Sequence, residues 1–123
     1  MRQSFDKMVS MSTAQLHEKF ETFTGSSIAD LSAQVGGYAA VNAVAVKSLS
    51  VLYEGESLIA SIGYIDGVDE LYSVSIVDAS VQVGDLTTNL TAAATSVEGE
   101  VLCHSLFLTP AEELRVAFLV YEQ

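Results

Sequence analysis

The feature that most constrains the fold is a series of short apolar runs between Ser48 and Leu114, separated by glycines and acids. Apolar residues recur at every second position in several runs, as at Leu49, Val51 and Tyr53, which is the period of a half-buried β-strand. The stretch contains no Lys or Arg. We therefore predict a β-meander with acidic turns. Its eleven acids are Glu54, Glu56, Asp66, Asp69, Glu70, Asp78, Asp85, Glu98, Glu100, Glu112 and Glu113.

The same periodicity sets the predicted strands, which cover residues 49–53, 58–65, 71–83, 101–108 and 114–121. Asp66-Gly67 is a strong hairpin signal. The third strand changes the parity of its apolar residues near Asp78, which predicts a bulge or bend around residues 77–79. Two alternatives stay open for residues 84–99, a surface loop or a short helix over residues 90–94.

The N-terminal region carries helix signals instead. A capping box at residues 12–15 precedes Leu16, Phe20 and Phe23 at helical spacing, and Gly25 follows, so we predict a helix over residues 13–23. Residues 1–11 either extend this helix or form an arm. A second cap at residues 27–30 begins a second helix, and Gly36-Gly37 is predicted to end it early.

Together these signals predict one α+β domain over residues 1–123, in which one or two N-terminal helices pack on a mainly antiparallel β-sheet, as a meander or small sandwich. Residues 1–11 are the candidate arm, 12–36 are predicted to be helical and 38–123 to be mainly β. Tyr38–Val46 is compatible with helix or strand, and strand is favoured. The predicted core residues are Leu16, Phe20, Ile62, Val74, Ile76, Leu106, Val116 and Phe118.

The charge balance limits the partners that this chain can bind. The formal net charge is −11, and clustered Lys and Arg are missing, so direct binding to nucleic acid or to an anionic membrane is not expected. Charged residues make up 17% of the chain, against roughly 25–35% of the surface in designs meant to stay monomeric. This favours burial of part of the surface against another copy or another protein. A monomer kept soluble by its net charge is the alternative.

Few residues in the sequence are candidates for chemistry. Cys103 and His104 are neighbours on a predicted strand, so they face opposite sides and cannot form a dyad, and His17 is remote in sequence. No catalytic residue and no cofactor is predicted, and the protein is not expected to be an enzyme. Acid clusters could hold a hard cation only if their turns converge. The candidate metal ligands are Asp66, Asp69, Glu70, Glu98 and Glu100.

The N-terminus lacks an apolar signal segment, and the longest uncharged run is short and partly polar. The expected location is therefore intracellular, either in solution or within an assembled particle. We expect a non-enzymatic structural or assembly protein that acts by homo-oligomeric packing, with a virus-like particle as one setting. The alternatives are an acidic inhibitor that occupies the basic groove of a nucleic-acid-binding protein, and a small-ligand-binding module.

Overall fold

The computed structural model describes residues 18–66 and 73–122, which form two antiparallel three-stranded sheets and two helices. Sheet A has the strand order β1-β3-β2 and sheet B the order β4-β6-β5. The fold is mostly β with some helix, which confirms the α+β prediction in this coarse form. The elements are β1 (Lys19–Gly25), α1 (Ile28–Asn42), β2 (Val44–Glu54), β3 (Ser57–Asp66), β4 (Ser73–Ser80), α2 (Leu86–Thr95), β5 (Glu100–Leu108) and β6 (Leu114–Glu122).

The two halves of the chain repeat one topology. Each half consists of a strand, a helix and a hairpin, and in each the first strand pairs with the second strand of the hairpin. The helices do not follow this repeat. Helix α1 packs mainly on β4 of the other half, whereas α2 packs on the outer face of its own sheet.

The main core lies between α1 and the inner faces of both sheets. It includes Leu31 of α1, Ile62 of sheet A and Leu119 of sheet B, each with no exposed surface. Strands β2 and β5 lie side by side where the two sheets meet. Because Val51 and Tyr53 contact Ser105 and Phe107 in the same order, these two strands run in the same direction.

Sheet B is buried on both faces, which explains the consecutive apolar residues of β6. Ala117 and Leu119 belong to the main core, while Val116, Phe118 and Val120 belong to a second core under α2. The predicted bulge in β4 is wrong, because β4 pairs with β6 from Ser73 to Ser80 without a register shift. The parity of its apolar residues changes because both faces are covered.

The predicted helix over residues 13–23 is wrong in its described part, because Lys19–Gly25 forms strand β1. Residues 1–17, with Leu16 and the predicted arm, lie outside the described residues. Side chains three apart on a strand face opposite sides. Phe23 therefore packs against the main core, whereas Phe20 is 70% exposed and is not the core residue that we predicted. Pairing with β3 has overridden the helical spacing.

The second helix begins as predicted and ends later than predicted. The Ser27 hydroxyl accepts a 3.1 Å hydrogen bond from the N–H of Asp30. The helix passes through Gly36 and Gly37 and ends at Asn42, and the next residue, Ala43, caps it with a left-handed φ of 51°. Gly36 serves close packing, because a Cβ there would lie 2.8 Å from the Val74 carbonyl oxygen. The favoured strand over Tyr38–Val46 is therefore wrong for residues 38–42, which are helical, and right from Val44 onward.

The remaining strands are confirmed within two residues at most ends, and the open alternative at residues 84–99 is resolved as helix α2. Leu106 is a wrong core prediction, since it is 38% exposed while its neighbour Phe107 is buried. The Asp66-Gly67 turn lies partly outside the described residues. Within residues 18–66 and 73–122, neither helix is long and apolar enough to span a membrane. The confirmed core residues are Ile62, Val74, Ile76, Val116 and Phe118.

Candidate interaction surface

Three of the sheet edges are covered by the chain itself. The β2 and β5 edges face each other, and the N–H of Val51 donates a 2.9 Å hydrogen bond to the Ser105 hydroxyl. The β4 edge is covered by α1, where the N–H of Ile76 donates a 2.8 Å hydrogen bond to the Ser32 hydroxyl. Side-chain hydroxyls thus satisfy backbone donors at both places, which reduces the tendency of these edges to pair with another chain.

Within the part of the chain that the structure describes, the β1 edge is covered only towards its C-terminal end. The Gln34 side-chain amide donates a 2.9 Å hydrogen bond to the Thr24 carbonyl oxygen. The N–H of Thr22 donates only to the carboxylate of its own neighbour Glu21, at 3.1 Å. Alternate residues of an edge strand point their backbone groups outward, so Phe20 shares this orientation with Thr22 and Thr24. Among residues 18–66 and 73–122, no strand pairs with this edge.

The outer face of sheet A is uncharged along three cross-strand rows. No helix of the described part packs on it, in contrast to sheet B under α2. Its largest exposed side chains are Phe20 and Leu52, which are 70% and 50% exposed. The rows, read from β1 through β3 to β2, are Thr24–Ile59–Leu52, Thr22–Ser61–Ser50 and Phe20–Gly63–Ser48.

Two carboxylates border this face, Glu54 in the row next to Leu52–Ile59 and Glu18 at the opposite end. Glu18 reaches over Gly63, and the Ser48 hydroxyl donates a 3.4 Å hydrogen bond to its carboxylate. A Cβ at Gly63 would collide with both groups, so glycine is required there. The uncharged area therefore ends at the first residues of β1.

The acids lie mainly at the ends of strands, as expected for acidic turns. Glu54 and Glu56 flank the β2–β3 turn, and Glu112 and Glu113 lie between β5 and β6. The left-handed φ of 64° at Gly55 is the backbone signature of the first of these turns. This placement leaves the strand faces free of most of the negative charge.

The candidate metal ligands do not come together in the part of the chain that the structure describes. Asp66 forms an exposed ion pair with Lys19, and Glu98 and Glu100 flank Gly99 at the start of β5. Asp69 and Glu70 lie outside the described residues. Within residues 18–66 and 73–122, no three carboxylate, histidine or cysteine side chains are grouped as a metal site would require.

Cys103 faces the main core, and burial raises the pKa of its thiol to about 11, with a smaller contribution from the charge of Glu18. The thiolate is the nucleophilic form, so this thiol is a poor nucleophile near neutral pH. His104 is exposed, on the opposite face of β5 from Cys103. His17 lies outside the described residues.

A tyrosine pair joins α1 to β3 beside the open strand. The Tyr38 hydroxyl donates a 2.9 Å hydrogen bond to the Tyr64 hydroxyl, and Phe23 packs edge-on against Tyr38 at a centroid distance of 5.6 Å. The hydrogen bond, assisted by burial, raises the pKa of Tyr38 to about 12. This pair holds α1 against sheet A and fixes the inner side of β1.

The sequence reasoning missed β1 as an interaction element. Its signal is the run from Lys19 to Thr24, in which β-branched Thr and aromatic Phe alternate with charged residues. That run favours a strand, but the helical spacing of Leu16, Phe20 and Phe23 outweighed it.

No family model, curated protein or solved structure matches this chain.

Proposed function

We propose that this protein is a non-enzymatic structural or assembly protein that acts by packing against further copies of itself. The observation that supports this most directly is the outer side of sheet A, which is uncharged along three rows, is covered by no helix or strand among residues 18–66 and 73–122, and exposes Phe20 and Leu52 in a chain of net charge −11. A monomer that depends on charge for solubility gains from charges spread over its faces. The three rows on the outer face of sheet A instead carry hydroxyl and apolar side chains.

Burial of apolar surface would drive this association, and repulsion between like-charged copies would oppose it. The repulsion is weakened by salt, since charges are screened over about 10 Å at 0.1 M ionic strength. Association should therefore tighten as the salt concentration rises from low to moderate values. Copies held together mainly by opposite charges would dissociate over the same range.

Sedimentation equilibrium of the full chain tests the proposal, over a range of protein concentrations at low and at moderate salt. The expected result is a mass that increases with protein concentration and increases further with salt. A monomer at every salt concentration and at high protein concentration would contradict the proposed function.

The exposed acids at the turns favour one other function, an acidic inhibitor of a nucleic-acid-binding protein. Glu98, Glu100, Glu112 and Glu113 are all exposed, and no base lies among residues 48–114. Duplex DNA carries a charge about every 1.7 Å along its axis, which is denser than these turns provide. Such an inhibitor would be a monomer, and its binding to a basic partner would weaken as salt rises, opposite to self-association.

A further inference from the structure

We infer that the copies meet through β1, which pairs antiparallel with β1 of a second copy across a twofold axis at Phe20. This pairing joins the two copies of sheet A into one continuous sheet. The inference deepens the proposed function and rests on it, since it names the surface through which the protein associates.

The position follows from the edges of the sheets. An open edge of unpaired N–H and C=O groups is a template for another strand, and three edges are already covered within the chain. The N-terminal half of β1 is the open one among the described residues. We therefore place the contact at the edge of sheet A.

The charges of β1 select the register. With Phe20 on the axis, Lys19 lies opposite Glu21 of the second copy, and the symmetry repeats this opposite-charge pair. An axis at Glu18, Lys19 or Glu21 would place two like charges directly opposite each other, which is unfavourable. An axis at Thr22 would need the Thr24 carbonyl group, which already accepts a hydrogen bond from Gln34.

Only side chains need to move for this pairing to form. The N–H of Thr22 would exchange the Glu21 carboxylate for the backbone carbonyl of Glu18 in the second copy. The freed Glu21 could then face Lys19 of that copy. Lys19 now pairs with Asp66, but both side chains are more than half exposed, so this contact is easily exchanged.

Different groups supply the strength and the specificity of the contact. The two Phe20 rings would meet across the axis as an aromatic cross-strand pair, which removes the most exposed aromatic side chain of the described chain from water. The ion pairs are exposed, so they contribute to the choice of register more than to affinity.

A charge exchange tests the register in the full chain. Lys19→Glu and Glu21→Lys should each weaken the dimer by about tenfold, because each places like charges opposite in two symmetric positions. The double variant should return to within about threefold of the wild type, because it restores opposite charges. Glu21→Lys also lowers the net negative charge, so strengthening by this single variant would overturn the register. Thermal melts check that each variant is folded.

A cross-link tests the axis independently. In a Cys103→Ser background, Phe20→Cys should form a disulfide between copies on mild oxidation, since facing Cα atoms in a hydrogen-bonded pair lie about 5.5 Å apart. Thr22→Cys is the matched control. In the proposed dimer, position 22 of one copy lies opposite position 18 of the other. The two substituted positions would therefore be four residues, or about 13 Å, apart along the strands and should not cross-link.

The outcomes separate the inference from the function on which it rests. Absence of a cross-link in a Phe20→Cys variant that still self-associates, or a cross-link at Thr22→Cys instead, overturns the β1 interface and leaves the proposed function standing. If Phe20→Cys is itself monomeric, the charge exchange decides the register. A wild type that stays monomeric overturns both. Self-association with the Phe20→Cys cross-link and recovery in the double variant supports both.

Discussion

The hydroxyl oxygen of Ser32 in α1 accepts a 2.8 Å hydrogen bond from the backbone N–H of Ile76 in β4. Helix α1 thereby supplies the partner that a further strand would supply to the edge of sheet B. The Gln34 side chain acts similarly on the other side of the helix, at the Thr24 carbonyl of β1. One helix thus satisfies backbone groups on strands of both sheets.

Ser32→Ala should lower the free energy of unfolding by about 1–3 kcal/mol, because it leaves the N–H of Ile76 without its partner in a partly buried place. Urea denaturation followed by circular dichroism measures the change. Ser50→Ala is the control, since Ser50 is exposed on sheet A, and it should stay within about 0.5 kcal/mol of the wild type. Equal effects of the two substitutions would show that the Ser32 bond contributes nothing.

The two adjacent glycines of α1 should respond in opposite directions to alanine. Gly36→Ala should destabilise the protein, because the added Cβ would lie 2.8 Å from the Val74 carbonyl oxygen. Gly37→Ala should stabilise it by about 0.5–1 kcal/mol, because nothing lies within 4 Å and alanine favours the helix. Thermal melts of both variants decide the matter. Stabilisation by both would mean that α1 is not held closely against β4.

Phe118 and Phe20 provide a matched pair that separates the core from the surface. Phe118→Ala should cost about 3–5 kcal/mol, since Phe118 is buried in the second core beneath α2. Phe20→Ala should change the stability of the monomer little, because its side chain is 70% exposed. Denaturation at low protein concentration keeps association from adding to the result. A Phe118→Ala variant that unfolds at the same denaturant concentration as the wild type would contradict the assignment of β6 as a buried strand.

Cys103 predicts a pH dependence. Because its pKa is raised from 9.0 to about 11, its alkylation by iodoacetamide at pH 8 should be about a hundredfold slower than that of an ordinary thiol. The raised pKa stabilises the fold below pH 9.0, and this contribution should be lost as the pH rises through about 11. The alkylation rate against pH, in the folded and the urea-unfolded chain, is the measurement. A folded-state plateau near pH 9 would contradict the burial of this thiol.

The strands from β2 onward could be predicted because their alternation reports burial of one face directly. At β4 the parity argument failed, since α2 buries the second face and both parities become apolar. Gly36 shows a second limit. A glycine that ends a helix and a glycine that lets a helix approach a carbonyl group look alike in sequence, and only the position of Val74 distinguishes them.

The candidate interface was harder to predict than the fold. The opposite charges of Lys19 and Glu21 can select the register of pairing with a second copy only if β1 is an edge strand. That position depends on the sheet order, in which β1 pairs with β3 and not with β2. At β5 the choice of Leu106 over Phe107 was wrong by one residue, because the alternation alone does not say which parity faces inward.

The packing of α1 on β4 also bears on the order of events during synthesis. The helix leaves the ribosome before the strand that it covers, so Leu31 and Val35 have an incomplete binding surface until the chain has been extended beyond Ile76. Despite the repeated topology, the core around α1 is therefore complete only when the second half is present. A nascent chain stalled at its midpoint would present an apolar helix face to chaperones, and docking of that helix would await the second half.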